Sequence, residues 1–95
     1  MNYILKDKIP VVEPDLHKWG SWMEQRDKRR IDKTMVGDVK ISTVFLGIDH
    51  GYDGRVELFE TMIFGGNHDQ YCDRYATWTQ SKKGHKRAVL LVKNI

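Results

Sequence analysis

Residues 42–69 read STVFLGIDHGYDGRVELFETMIFGGNHD. Two strongly apolar runs flank a segment rich in Gly and Asp, and each run is followed by a His and an Asp. The question is whether these polar ends form one site or only close a hairpin. β-Branched and aromatic residues on either side of a turn-rich segment predict two neighbouring antiparallel strands. In the first run Val39, Ile41, Thr43 and Phe45 lie on one face, and Val44 and Leu46 on the other. In the second, Phe59, Thr61 and Ile63 share a face, while Val56, Leu58, Met62 and Phe64 share the opposite one, interrupted by Glu60. Strands apolar on both sides are central in a sheet. A carboxylate inside one needs a base or a sheet end. If the runs pair, His50 and His68 leave from opposite ends of a strand roughly 20 Å long and cannot share a metal.

Working outward, NYILKDKIPVV (residues 2–12) predicts two short strands around a Lys-Asp-Lys turn, with Pro10 confining the second to an edge. Residues 13–30, EPDLHKWGSWMEQRDKRR, predict a helix. Pro14 suits its first turn, Asp15 favours its dipole, and Leu16, Trp19, Trp22 and Met23 make its apolar stripe. Gly20 weakens that helix by roughly 1 kcal/mol relative to Ala, and a close backbone crossing would explain it. Gly37-Asp38 marks a turn. Thr77 and Gln80 match a capping box that opens a last helix, with Trp78, Ser81, His85, Ala88 or Val89, and Val92 facing inward. The expected fold is α+β. It is an antiparallel sheet of three to five strands with two helices packed on one face, in the order strands, helix, strands, helix.

A chain of 95 residues makes a single domain, 1–95. Its 40% apolar content and three Trp support a real core, and 31% charged residues of mixed sign do not describe a disordered chain. A single cysteine, Cys72, excludes an internal disulfide and fits a reducing cytoplasm. The opening MNYILKDK lacks a signal-peptide core, and no apolar run approaches a membrane span. The net charge of +3 is unevenly spread, with an acidic middle between basic flanks.

The candidate chemistry is sparse. His68 and Cys72 stand four apart, as zinc ligands on a helical turn can, but further ligands are missing, so a free buried or half-buried thiol is the ordinary reading and no metal or cofactor is expected. His85 on an inward helix face reads as a satisfied core histidine. Gly65-Gly66 lacks any phosphate-loop or dinucleotide pattern and reads as a tight turn. The bases Arg26, Lys28, Arg29, Arg30, Lys82, Lys83, Lys86 and Arg87 would form one nucleic-acid face if the two helices packed side by side. Otherwise they are solvated helix ends. Tyr52, Asp53, Asp69, Tyr71 and Asp73 make an acidic, tyrosine-bearing candidate for a partner surface.

ISTVFLGIDH, LFETMIFGG, DRYATW and the opening YILKDKIPVVEPDLHKWGSWME resemble a group of small proteins of tailed phages and prophages, over nearly the whole chain. The resemblance implies no catalytic residues. It implies a phage gene acting in the cytoplasm of a bacterial host cell. The leading expectation is therefore a non-enzymatic accessory protein that binds a host or phage macromolecule and inhibits, for example, a defence system such as CRISPR. The alternatives are a nucleic-acid binder on the basic two-helix face and a small metal-dependent enzyme around His68. A monomer and an edge-paired homodimer both fit, with no membrane association.

Overall fold

The two apolar runs pair as expected. The computed structural model describes residues 1–94. β1 (Tyr3–Lys6) and β2 (Ile9–Val12) form a small antiparallel sheet, followed by α1 (Leu16–Met23) and α2 (Arg26–Arg29). β3 (Arg30–Val36), β4 (Val39–Phe45), β5 (Phe59–Phe64) and β6 (Cys72–Tyr75) make a four-stranded antiparallel sheet in that order, and α3 (Trp78–Lys93) lies across it. The fold is α+β, with β4 and β5 in the centre.

Local chemistry sets several boundaries. Asp7 and Lys8 both take positive φ (50° and 71°), the mirror-image turn whose twist suits a two-residue hairpin. The capping box is present: Gln80 N–H donates to Thr77 Oγ1 at 3.1 Å, and Thr77 N–H to Gln80 Oε1 at 3.3 Å.

The helix expected over 13–30 is instead two short ones. Asp15 is the N-cap, accepting from the amides of His17 and Lys18, so Pro14 lies outside the first turn. After Met23 nothing apolar remains to bury, Gln25 leaves helical geometry, and Arg30 already belongs to β3. A helix without an apolar face has little to hold it. The close crossing expected at Gly20 is not there: a Cβ at that position would meet nothing within 4 Å.

The sheet has a covered face and an open one. On the covered face one cluster joins Ile31, Phe45, Leu58, Phe59 and Tyr75 with Tyr3, Leu5, Trp22 and Trp78. Trp22 of α1 meets Phe45 edge-on, with 5.5 Å between ring centroids. A second cluster joins Ile41, Ile63 and Ala88 with Val36, Val39, Tyr71, Val89 and Val92. Leu58 departs from the expected alternation: β5 begins only at Phe59, so Leu58 turns inward from the connection and is 2% exposed. A register shift between Arg30 and Asp32 similarly brings Ile31 into the core.

Candidate functional site

The polar ends of the opening stretch are loop locks. Asp49 Oδ1 accepts from the amides of Gly51 (2.8 Å) and Glu57 (2.9 Å), and these bonds hold its carboxyl below the usual range. Asp69 Oδ1 accepts from Gly65 N–H at 2.7 Å. Phe45 pairs with Phe59 and Lys40 with Phe64, so the 46–58 connection and the 65–71 turn lie at opposite ends of the sheet. His50 and His68 are separated as the register predicts.

Between the two apolar clusters runs a polar row: Asp32, Thr43, Thr61 and Asp73 pair in register across β3, β4, β5 and β6. α3 answers that row. Lys82 Nζ lies 2.9 Å from Asp32 Oδ2 on one edge strand, and Arg87 lies 3.8 Å from Asp73 on the other. His85, 2% exposed, stands between them, with Nδ1 2.7 Å from Thr43 Oγ1 and Nε2 2.8 Å from Thr34 Oγ1. Thr43 and Thr61 hydroxyls meet at 2.5 Å. Asp32 Oδ1 lies 3.8 Å from His85 Nε2, which favours the Nε2–H tautomer with Nδ1 accepting from Thr43.

Burial pushes the His85 pKa down. Asp32 opposes that shift and Lys82 reinforces it. The imidazole is therefore neutral at pH 7, and its approach to Asp32 is not an ion pair. For Asp32 burial alone raises the pKa, but the Lys82 hydrogen bond, the nearby positive charge and the Lys33 amide leave it lowered. With both ring nitrogens engaged by hydroxyls, His85 offers no free nitrogen to the cleft it lines with Lys86. What it does is fix α3 on the sheet, as the reading of a satisfied core histidine expects.

The opposite face of the sheet has three rows: Met35, Lys40 and Phe64; Lys33, Ser42, Met62 and Cys72; and Arg30, Val44, Glu60 and Arg74. Met35 is 55% exposed and Phe64 38%. Arg74 Nε donates to Glu60 Oε2 at 2.9 Å, which supplies the base that Glu60 requires. Cys72 is exposed on this face, contrary to the expectation of a buried or half-buried thiol, and Sγ donates to Glu60 at 3.4 Å. Burial and then the Glu60 contact raise its pKa.

The structure divides the expected partner surface. Tyr52, 70% exposed, and Asp53 lie in the 46–58 connection, whereas Asp69 and Tyr71 lie near the 65–71 turn at the other end. Tyr71 packs on the Ile41–Ile63–Ala88 cluster, and Asp73 faces Arg87. Nor do the bases merge into one helix face. Lys82 bonds α3 to Asp32 of β3, Arg87 makes an exposed contact with Asp73 of β6, and Arg29 Nε donates to the Phe45 carbonyl at 3.4 Å. Lys83 shares a cleft with Arg87 on the β6 side of α3, whereas Lys86 lines a separate one on the β3 side. Arg26 and Lys28 are exposed on α2, and Arg30 belongs to the open sheet face. Of the α3 bases only Lys93 sits in the last turn, so the helix dipole does not account for Lys82 to Arg87.

His68 lies in the 65–71 turn and Cys72 in β6, so their spacing is not that of a helical turn. Among the described residues no three or more His, Cys, Asp or Glu are grouped to hold a metal ion, and no helix is long and apolar enough to cross a membrane. The open face was the feature sequence reasoning missed. Its signal was Lys40 and Ser42 alternating with Ile41 and Thr43 in a strand read as apolar on both sides. The chain matches no family model, no curated protein and no solved structure in comparisons with known proteins.

Proposed function

We propose that the chain is a small non-enzymatic binding protein whose contact surface is the open face of the four-stranded sheet. One observation carries the reading: β3 to β6 present Met35 and Phe64 to solvent amid lysines and arginines, while α3 covers the reverse side. Exposed apolar residues grouped on a flat surface and ringed by charge mark a contact area. The interior histidine, by contrast, is bonded on both nitrogens and holds the fold together. The resemblance to small phage proteins supports a setting in the cytoplasm of an infected bacterial cell. There such a protein would cover a working surface of a host or phage macromolecule, for instance one belonging to a CRISPR system.

The test compares the wild-type chain with Met35→Asp/Phe64→Asp as bait in infected-cell lysate, with co-eluting protein and nucleic acid both identified. Material held by wild type and lost by a variant that keeps its thermal transition supports the reading. Equal recovery on both baits, or none on either, removes it.

A further inference from the structure

Resting on the reading that the open sheet face is the contact surface, we infer that its occupant is single-stranded nucleic acid. The charge on this face has one sign. Arg30, Lys33, Lys40 and Arg74 face solvent with a single acid, Glu60, and Arg74 neutralises that acid at 2.9 Å. Arg30 also reaches Asp27 at 3.9 Å, but that carboxylate is 98% exposed and such a contact is weak. Arg30, Lys33 and Lys40 are therefore left for an external anion. They stand in successive rows about 7 Å apart along the strands, so the positive charge forms a track across the sheet and not a point. The α3 bases lie on the reverse side: Lys82 is paired with Asp32 at 2.9 Å, whereas Arg87 is 61% exposed and 3.8 Å from Asp73, so α3 is the competing surface that the variants below separate from the sheet.

Phe64 adds what charge alone does not. Its ring is 38% exposed beside the track, and Lys40 Nζ lies 4.7 Å from its centroid. The lysine stem is flexible. A base can take the ring face while the ammonium moves to the adjoining phosphate, with Met35 and Met62 flanking the stack. An aromatic platform needs a base that is already unstacked. This selects single strands. A second copy fits poorly, because face-to-face pairing sets like charges against each other.

The experiment measures fluorescence anisotropy of labelled 15-mer oligo(dT), oligo(U) and a hairpin duplex from 20 to 150 mM salt. It uses wild type, Phe64→Ala, Lys33→Glu/Lys40→Glu, and Lys83→Glu/Lys86→Glu on α3. Single strands are expected to bind more tightly than the duplex, with a log–log salt slope of about −2 for three phosphate contacts. Phe64→Ala is expected to weaken binding about tenfold, the sheet charge reversal to abolish it, and the α3 variant to stay within about twofold. No binding at 20 mM salt overturns the inference. So do equal affinity for the duplex or for poly-glutamate, sedimentation showing a dimer that buries this face, and losses that follow the α3 variant. If the oligonucleotides fail while the bait variant still loses its partner, the contact face stands and only nucleic acid as its occupant falls.

Discussion

Nδ1 of His85, in the middle of α3, lies 2.7 Å from Oγ1 of Thr43, in the middle of β4. Residues 42 apart in sequence thus meet at the point where the helix crosses the sheet, inside a core that is otherwise apolar at both ends. A helix on an apolar sheet can slide, because hydrophobic contact is non-directional. A hydrogen-bonded row cannot shift without leaving buried hydroxyls unpaired, and each would cost roughly 1–3 kcal/mol.

Removing that fastening has a predictable size. His85→Ala leaves a cavity and removes the partner of the Thr34 hydroxyl, while the Thr43 hydroxyl keeps only its bond to Thr61. Urea unfolding is expected to show a loss of about 3 kcal/mol. Thr43→Val keeps the shape but removes the hydroxyl that links His85 to Thr61, and should cost about 1–2 kcal/mol. Variants that unfold at the wild-type midpoint would show that the row holds nothing.

Acid should weaken the fold from near neutrality. The folded-state pKa of His85 lies below its ordinary value of 6.5, so the unfolded chain takes up the proton first. The contribution of His85 is complete above about pH 6.5 and declines as pH falls towards the folded-state pKa. The groups facing the ring are Asp32, Lys82, Thr34 and Thr43. The same direction holds for Asp32, lowered from 3.8, but that loss begins only in stronger acid. NMR titration of the four histidines, with midpoints from urea curves at pH 8, 6.5 and 5, tests this. A buried imidazole that titrates at or above 6.5 in the folded chain contradicts it.

Two glycines in helices should respond in opposite directions. A Cβ at Gly84 on α3 would overlap the Tyr75 ring as well as its hydroxyl, which is buried without a hydrogen-bond partner. Gly84→Ala should therefore destabilise by about 1–3 kcal/mol, and Tyr75→Phe should recover little of that in the double variant, because ring carbons that Phe retains obstruct the Cβ as closely as the oxygen does. At Gly20 a Cβ meets open space, so Gly20→Ala should stabilise by about 0.5–1 kcal/mol. Thermal unfolding of the four variants is enough, and equal effects at the two glycines would refute the packing account.

Cys72 is exposed, yet its thiol should be sluggish, because partial desolvation of the sulfur against the sheet and then the Glu60 contact raise its pKa. Glu60→Gln removes the carboxylate and frees the positive charge of Arg74 beside the sulfur. Reaction with an aromatic disulfide reagent at pH 7.5 should then run several-fold faster. An unchanged or slower rate would mean that Glu60 does not control the thiol.

Much of the architecture could be read from local chemistry. Two β-branched and aromatic runs around a Gly- and Asp-rich segment specified the neighbouring antiparallel strands β4 and β5, although both were read as apolar on both faces. The Thr77–Gln80 pair specified where α3 starts, since a capping box needs only four residues to satisfy its own amides. The separation of His50 from His68 followed from the hairpin alone. Residues 13–30 were misjudged for a physical reason: helical propensity persists past Met23, but the apolar stripe that would hold such a helix does not.

The tertiary structure decided what the sequence left open. Lys40 and Ser42 alternating with Ile41 and Thr43 hint at which face of β4 stays open, but which α3 side chains meet which edge strand depends on where the helix packs. Once α3 lies over Thr43 and Thr61, Lys82 is drawn to the Asp32 carboxylate at 2.9 Å, while Arg87, 61% exposed, stays at the surface 3.8 Å from Asp73. The same choice leaves Lys33, Lys40 and Phe64 facing water. A charge pattern in sequence fixes how many bases there are, whereas long-range packing fixes which of them already have a partner.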